Sequence, residues 1–364
     1  MITISLCMIV KNEEDVIARC LESVKGIADE IIIIDTGSTD DTKKIVSRFT
    51  KKVYDFKWVD DFAKARNFAF KKATKEYILW LDADDVFLEG DRKKFKKLKK
   101  ELNPSVDSVS MFYNLAMDEH GNPVTRLRRN RLVKRSRNFR WIGPVHEFLE
   151  VGGHIEMSDI AVTHASIHHD SDRNLRIYEN RLKQGEEFSP RDTYYFANEL
   201  KDHGLFERAI EYYEKFLAGG QGWIEDNISA CGKLSDCYHE TGDHEKMTVS
   251  ILRSFTYGVP RPEFCCRLAY TFFEKGDYPA AIHWYKQALD NGVPADTWGI
   301  YNHAYSGYIP HLQLCVCYDR LGDHETAYRH NELAGAIRPD SKQYLYNKNY
   351  FQQLEELKKE GGES

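Results

Sequence analysis

Three aspartates follow a short apolar stretch in the segment "LWLDADD" at residues 79–85. The apolar part predicts a buried strand, and open α/β sheets bind ligands at the carboxyl ends of their strands. Asp82 and Asp84 are two residues apart, so their carboxylates can converge on one divalent cation, Mg²⁺ or Mn²⁺, whose other ligands come from substrate phosphates. Because aspartate pairs of this spacing are common, a solvated acidic turn is the alternative interpretation.

Another acidic residue, Asp35, ends the apolar segment "EIIIID" at residues 30–35. If both segments are strands of one sheet, Asp35 faces the same crevice as Asp82 and can accept hydrogen bonds from a ribose or a base. Capping of the next helix is a second role for Asp35, and the two roles are compatible. The first apolar segment is followed by "KNE" and not by G-x-G-x-x-G, so a dinucleotide-binding loop of that kind is not expected.

The elements that position these acids alternate between strand and helix. Buried strands are predicted at residues 3–10, 30–35, 53–56 and 77–81, with amphipathic helices between them. This alternation favours a parallel, doubly wound α/β sheet. The strands predicted after Asp85, at 108–113, 131–133 and 160–163, lack regular helical crossovers, which indicates a mixed second half. We expect this domain to cover residues 1–170 and a linking helix to cover 171–189.

The rest of the chain repeats a helical pattern. Tight-turn glycines recur at Gly204, Gly242, Gly276 and Gly322, with an insertion at 291–308 before the last. Alanines follow five residues later in three cases, at Ala209, Ala281 and Ala327. A period near 34 residues with small residues at these positions indicates tetratricopeptide-like repeats, here over 190–345, followed by a C-terminal helix and tail at 346–364. Such helix pairs stack into a superhelix with a concave groove.

Composition excludes several classes of function. The net charge of −6 argues against a nucleic-acid-binding protein, and no apolar run is long enough to predict a membrane span. The eight cysteines match neither a zinc nor a redox spacing, so we expect buried, reduced thiols. The apolar start lacks a basic region and a cleavage site and is interpreted as a strand. Together these features predict a cytoplasmic protein.

Four segments carry a resemblance to a known family: "SLCMIVKNEE", "EIIIIDTGSTDDT", "DFAKARNFAF" and "YILWLDADD". Their order and spacing resemble the family 2 inverting glycosyltransferases, over roughly residues 1–170. The resemblance implies an α/β GT-A domain, Rossmann-like with a mixed central sheet, ahead of the all-α repeat domain. It implies a nucleotide pocket lined by Val10, Asn12 and Glu13, with Asp35 and Arg66 at the uracil or ribose. It also implies that Asp82 and Asp84 are the D-x-D metal pair, with Asp82 also contacting the nucleotide and Asp84 the direct ligand.

The segment "WIGPVHEFLE" at residues 141–150 is similar to the W-x-G-x-V-H-E segment of repeat-bearing family 2 enzymes. An inverting transfer needs a general base within reach of the acceptor. Glu147 is the expected base, and His146 is the alternative base or a phosphate-orienting residue. An ion pair between Glu147 and a nearby arginine is the competing interpretation.

Two further site residues are expected from their positions. The run 126–140 is dense in arginine and lysine; part of it is expected to neutralise the donor diphosphate, with Arg131 as the candidate, whereas a solvated face is the ordinary interpretation of such a run. His164, His168 and His169 follow the last predicted strand of the domain. A histidine at this edge of a GT-A domain often completes the metal shell, and imidazole suits Mn²⁺, so His164 is the expected third ligand.

The combination of both domains resembles the bacterial glycocin glycosyltransferases. It implies transfer of a hexose or N-acetylhexosamine from a UDP-sugar, UDP-glucose or UDP-N-acetylglucosamine, to a Cys or Ser/Thr side chain, with Mn²⁺ or Mg²⁺. The repeats are expected to hold the peptide or protein acceptor, and the first residues to test are Trp298, Tyr301, His303 and Tyr305. The alternatives are a transferase for a surface polysaccharide or other glycan, and an inactive peptide-binding scaffold. A homodimer also stays open.

Overall fold

A computed structural model describes residues 1–117, 123–165, 172–292 and 302–361 of the chain. Two compact units divide the chain, residues 1–188 and residues 189–364. Four residues singled out above lie outside the described residues: His168, His169, Trp298 and Tyr301. The two units are described separately.

The first unit is built on a mixed β-sheet. The strands of the described residues are β1 (Ile4–Val10), β2 (Glu30–Asp35), β3 (Val53–Asp55), β4 (Tyr77–Trp80), β5 (Asp85–Val86), β6 (Ser108–Met117), β7 (Pro123–Lys134), β8 (Arg140–Ile142), β9 (Phe148–Glu150) and β10 (Ile155–His164). Eight of them form one sheet in the order β3-β2-β1-β4-β7-β6-β10-β5, and β8 pairs with β9. The first four run parallel, whereas β7 is antiparallel to both β4 and β6. The predicted GT-A-like mixed sheet is therefore confirmed.

Helices cover both faces of this sheet. They are α1 (Ile17–Ser23), α2 (Thr42–Val46), α3 (Phe62–Lys72) and α4 (Glu89–Glu101), and a further helix, α5 (Asp172–Lys183), follows the last strand. Alternate side chains of a strand point to opposite faces, so Leu6 and Met8 of β1 join the apolar layer that contains α1 and α4, whereas Cys7 joins the layer that contains α3. Burial on both faces explains why the parallel strands are apolar at nearly every position.

The strand β7 is longer than the sequence predicted. A strand was expected only over 131–133, because the preceding residues are mostly arginine. In the structure the guanidinium groups of Arg126 and Arg128 lie 4.1 and 3.8 Å from the ring centroid of Phe112 on the neighbouring β6. Most of the basic run is thus a central strand of the sheet, because arginine can cover an aromatic side chain while it keeps its charge.

The second unit consists of paired helices. They are α6 (Pro190–Asp202), α7 (Phe206–Gly219), α8 (Ile224–Glu240), α9 (His244–Arg253), α10 (Pro262–Glu274), α11 (Tyr278–Asn291), α12 (Tyr308–Arg320), α13 (His324–Ile337) and α14 (Lys342–Gly361). Successive helices from α6 to α13 contact each other as four pairs, and α14 packs on α13. Ala209, Ala281 and Ala327 are fully buried, which allows the helices to approach closely. In the described residues, no helix is both long enough and apolar enough to cross a membrane.

The turns within the pairs explain the repeated glycines. Gly204, Gly242, Gly276 and Gly322 all have φ between 71° and 82°, a left-handed conformation that glycine adopts without steric strain. In the last three turns an aspartate follows, and its side chain accepts a hydrogen bond from a backbone N–H in the first turn of the next helix. The dipeptide Gly-Asp therefore ends one helix and begins the next.

Candidate active site

Two acids and a histidine meet at the carboxyl end of β4. Asp84 and Asp85 follow this strand, and His164 is the last residue of β10, directly opposite Asp85 in the β5–β10 pair. The Nδ1 atom of His164 lies 3.5 Å from Oδ1 of Asp84 and 3.9 Å from Oδ1 of Asp85. One ligand atom from each residue lies within 4.8 Å of the others. The fold thus brings together Asp84 and His164, which sequence reasoning paired as metal ligands.

Asp85 is a member of this cluster that sequence reasoning missed. Its side chain is fully buried, and its Oδ2 lies 3.0 Å from Nη1 of Arg131 and accepts a hydrogen bond from the backbone N–H of Asp82. Its other oxygen, Oδ1, has no hydrogen-bond partner among the described residues. The four consecutive acidic and small residues at 82–85 were the available signal, but only the pairing of β5 with β10 shows which of them face His164.

The donor set of this cluster suits a divalent cation. Two carboxylates and an imidazole are acceptable ligands for Mn²⁺, and Mg²⁺ would rely on the carboxylate oxygens. The unpartnered buried Oδ1 of Asp85 also needs a positive partner. The interaction with Asp84, and next the proximity of Asp85, raises the pKa of His164 to about 10, so the two acids favour a positive charge here. We conclude that Asp84, Asp85 and His164 fit such an ion, whereas Asp82 points elsewhere.

Arg131 lies beneath this cluster and not on the crevice surface. Its side chain is fully buried between Trp80 and Tyr113, whose ring centroids lie 3.8 and 4.4 Å from the guanidinium carbon. Its charge is directed at Asp85, at 3.0 Å. The diphosphate contact expected from the sequence would need an exposed guanidinium, so in this structure Arg131 acts on Asp85 and not on a ligand.

A second cluster joins three of the segments that carried the family resemblance. Arg66 of α3 donates from Nη2 to Oδ1 of Asp82 at 2.7 Å and from Nε to Oε1 of Glu147 at 2.6 Å. Its guanidinium carbon lies 4.7 Å from the ring of Trp141 and 5.2 Å from that of Trp80. Although burial alone would raise the pKa of Asp82, the charges of Arg66 and Arg131 hold it below its ordinary value. The ion pair considered for Glu147 is therefore present in the structure.

The segment that carries Glu147 is held against α3. The side-chain amide of Asn67 both donates to the backbone oxygen of Trp141 and accepts from its N–H, each at 2.9 Å. His146 has φ of 48°, a conformation that a residue with a side chain rarely adopts. Backbone strain of this kind costs on the order of 1 kcal/mol and persists where the surroundings fix it, often at functional sites. The strained turn sets the direction of Glu147.

The expected nucleotide-binding residues lie at the ends of β1 and β2. Val10 is buried and is the parallel neighbour of Asp35. Asp35 accepts hydrogen bonds at Oδ1 from the N–H groups of Gly37 and Ser38, both at 3.0 Å, so it caps the turn after β2. Its Oδ2 has no partner in the described part of the chain. Asn12 adopts φ of 55° and accepts at Oδ1 from a backbone N–H of the same turn.

Glu13, in the loop after β1, interacts electrostatically with the aspartates after β4. Burial, and next the negative charges of Asp84 and Asp82, raise the pKa of Glu13 to about 7. Its backbone N–H donates to Oγ1 of Thr42, the first residue of α2, at 2.7 Å. The loop after β1 and the acids after β4 therefore border the same crevice, as expected for the carboxyl ends of neighbouring parallel strands.

Comparison with known proteins gives two family matches. Residues 5–153 match Glycosyl transferase family 2, a range that contains both clusters except His164. Residues 262–291 match a tetratricopeptide repeat family, and this range corresponds to α10 and α11. Both parts of the family resemblance seen in the sequence are thus confirmed.

Three individual proteins are similar to this chain. A TPR repeat-containing protein of Synechococcus elongatus is 29% identical over 330 residues, which cover 88% of this chain and 74% of that protein. The SPbeta prophage-derived glycosyltransferase SunS of Bacillus subtilis is 30% identical over 231 residues, which cover 59% of this chain and 53% of SunS. This match therefore spans about half the length of SunS. Among solved structures, the MamA protein has 16% identity and a TM-score of 0.37, with 46% of this chain and 82% of MamA covered.

Proposed function

We propose that this chain, which carries a family 2 glycosyltransferase domain followed by tetratricopeptide repeats, is an inverting, metal-dependent transferase that glycosylates a peptide. The donor is a UDP-sugar, UDP-glucose or UDP-N-acetylglucosamine, and the acceptor is a Cys or Ser/Thr side chain. The observation that carries the proposal is the convergence of Asp84, Asp85 and His164 on one point beside the Arg66 cluster. A scaffold that had lost activity would have no need for this arrangement.

The roles of the residues follow from their positions. Asp84, Asp85 and His164 would hold Mn²⁺ or Mg²⁺, and the bound ion would offset the charge of the departing diphosphate. Asp35, Asn12 and Glu13 line the end of the crevice where the nucleoside would lie. Arg131 places a positive charge 3.0 Å from Asp85 and holds that side chain at the cluster. Its removal would leave a buried carboxylate without a counter-ion.

The general base is assigned to Glu147, with His146 as the competing residue. The base takes the proton from the acceptor thiol or hydroxyl while that atom attacks the anomeric carbon, and UDP leaves from the opposite face. Arg66 fixes the orientation of Glu147 through Nε and leaves its Oε2 for the acceptor. Glu147→Gln with unchanged turnover, together with inactive His146→Ala, would transfer the role to His146.

The repeats are proposed to hold the acceptor. A groove of about 760 Å³ lies in the second unit and is lined mainly by residues of α6, α8, α10 and α12, with others from α7, α9 and α11. It includes the aromatic side chains of Phe206, Tyr270 and Tyr305, and Tyr270 is 44% exposed although no core requires it. Such grooves commonly bind extended or helical peptides. His303, at the start of the short helical turn that contains Tyr305, remains a second residue to test.

The experiment is a donor screen with metal control. Full-length protein is incubated with a panel of UDP-sugars and candidate peptides with Mn²⁺, and UDP release and peptide mass are measured with and without EDTA. The proposal expects EDTA-sensitive UDP release and a peptide mass raised by one sugar residue. Transfer to an oligosaccharide but not to peptide would favour the glycan alternative. An absence of UDP release with every donor would favour the scaffold.

The contribution of the repeats is tested separately. A chain that ends at Phe188, the boundary of the first compact unit, is expected to retain slow UDP-sugar hydrolysis and to lose peptide transfer. Tyr270→Ala in the full-length protein is the milder version of this test and avoids exposure of an apolar face. Transfer at the full-length rate by both proteins would remove the recruitment role from the repeats.

A further inference from the structure

Part of the basic run at 126–140 is not used by the proposed active site. Arg131 pairs with Asp85, and Arg126 and Arg128 lie over Phe112. The later residues of the run, Lys134, Arg135 and Arg140, instead line a cavity of about 580 Å³ in the first unit, together with Lys71 of α3. Four cationic residues therefore line one cavity, and no carboxylate is among its described lining residues.

The partners of these four side chains leave most of their positive charge uncompensated. Lys134 donates to the backbone oxygen of Pro104 at 2.5 Å, and Nε of Arg135 donates to that of Lys75 at 2.7 Å. A carbonyl oxygen carries no net charge, so neither contact is an ion pair. The side chains of Lys71 and Arg140 are exposed and form no ion pair seen among the described residues, and Glu150 lies opposite Arg140 in the β8–β9 pair. Like charges gathered without a counter-ion repel each other and attract anions.

The wall of the cavity beneath this cationic rim is partly apolar, and Asn67 and Asn138 also line it. Phe70 and Phe139 line it, together with Ile78 and Val133 from the sheet. Its volume lies within the range of about 300–1,000 Å³ that is typical of small-molecule sites, which combine apolar walls with a few polar groups. Lysine and arginine are the usual partners of phosphate oxygens. A compound that matches both features has a phosphate group and an apolar body.

This cavity is separate from the crevice. Ile78 precedes Asp82 by four residues, roughly 13 Å of extended chain at the spacing of a β-strand. The cavity therefore lies toward the amino-terminal end of β4, whereas the acids lie beyond its carboxyl end. A ligand in the cavity would not contact Asp84, Asp85 or His164.

We propose that the cavity between α3, β7 and β8 is a second ligand site, which binds a phosphate ester with an apolar body. The phosphate lies at the rim formed by Lys71, Arg135 and Arg140, and the apolar body lies against Phe70 and Phe139. This chemistry is shared by soluble alkyl phosphates and by the headgroups of phosphate-bearing lipids. The site does not depend on the proposed transferase reaction.

The first test uses two soluble probes with the same charged group. Calorimetric titration of the full-length protein in EDTA compares inorganic phosphate with hexyl phosphate. We expect hexyl phosphate to bind more tightly, because only it reaches the apolar wall. The double variant Lys71→Gln/Arg140→Gln should weaken its binding by about tenfold or more, since two charge-assisted contacts are lost. Both side chains are exposed, so the fold should survive, and circular dichroism checks this.

Matched controls separate the cavity from general attraction. Lys51→Gln removes an exposed cation outside the cavity, and Asp84→Asn changes the crevice; both should bind hexyl phosphate as the unaltered protein does. Co-sedimentation with phosphatidylcholine vesicles, with and without phosphatidic acid, distinguishes the lipid source from the soluble one. Binding that the double variant loses, whether to hexyl phosphate or to vesicles with phosphatidic acid, supports the site. Equal binding by the double variant and the Lys51→Gln control, or no binding in either format, overturns it.

Discussion

Arg66 offers the sharpest test of how the candidate active site is held together. Its guanidinium bonds Asp82 at 2.7 Å and Glu147 at 2.6 Å, and the side chains of Arg66 and Glu147 are only 10% and 11% exposed. Arg66→Met keeps an apolar stem against Trp80 and Trp141 but removes the charge. Loss of one partner from a buried ion pair typically costs about 3–5 kcal/mol. Asp82 is 35% exposed and can be rehydrated, so most of this loss should come from Glu147.

A second substitution tests this estimate through the sign of its effect on the unfolding free energy. In the Arg66→Met background, Glu147→Gln removes the uncompensated charge, so we expect it to recover about 2 kcal/mol of unfolding free energy. In the unaltered protein the same Glu147→Gln change should destabilise, because it breaks a charged hydrogen bond. The two effects of one substitution should therefore have opposite signs.

The assay is urea unfolding of the full-length protein at neutral pH. The assay protein carries Trp223→Phe, Trp284→Phe and Trp298→Phe, because these three tryptophans belong to the second unit. Its tryptophan fluorescence then reports the first unit, where Trp80 and Trp141 lie next to Arg66, and far-ultraviolet circular dichroism reports mainly the helical repeats. We expect the fluorescence transition to move to lower urea in Arg66→Met while the helical transition moves less. Equal free energies for Arg66→Met and the unaltered protein, or the same sign for Glu147→Gln in both backgrounds, would refute this account of the cluster.

Three further predictions concern pH, metal and nucleotide. Burial, followed by the charges of His311, Arg329 and Lys286, lowers the pKa of His330 from its ordinary value of 6.5 to about 4. The Nδ1 atom of His330 lies 3.0 Å from Nδ1 of His311. The unfolded chain binds a proton at His330 more readily than the folded chain does. The contribution of His330 to the stability of the repeats is therefore complete above about pH 6.5 and falls as the pH drops toward 4, by up to about 3 kcal/mol. Urea unfolding followed by circular dichroism should show this fall, and the same dependence of unfolding free energy on pH in His330→Phe would contradict it. Asp84→Asn should abolish Mn²⁺ binding in the presence of UDP, measured by electron paramagnetic resonance, without a change in circular dichroism; retained binding would remove Asp84 from the metal site. Asp35→Ala should weaken UDP binding by about tenfold, the loss of one charge-assisted hydrogen bond, and an unchanged dissociation constant by calorimetry would count against a nucleotide contact.

The sequence was most informative where a local hydrophobic pattern or a single turn residue determines the secondary structure. The apolar runs of β1, β2 and β4 end within one residue of their predicted carboxyl ends, because a strand buried on both faces is apolar throughout. The repeat turns were equally accessible, since a left-handed residue between two helices nearly requires glycine. The very short strands β5, β8 and β9 were not predicted, because two or three residues cannot display a period.

The partners within the site were harder to predict. Arg66 and Glu147 are separated by 81 residues in the chain, and nothing in either local pattern specifies their contact. Asp85 was overlooked because its role depends on Arg131 beneath it and on His164 opposite it. These pairings are set by strand order and register, which a single sequence does not display. Arg131 was assigned to a ligand for the same reason, since its burial depends on the neighbours of β7.

The arginines of β7 have a further consequence for the chain before it is folded. A strand in the middle of a large sheet is usually apolar, and such segments are the ones through which incomplete chains aggregate. Here the central strand carries Arg126, Arg128, Arg129 and Arg131, so copies of the segment repel one another in solution. In the folded sheet Asp85 pairs with Arg131, and Phe112 lies under the guanidinium groups of Arg126 and Arg128. The strand is therefore protected against aggregation during synthesis and refolding by the same side chains that fill the sheet once it has formed.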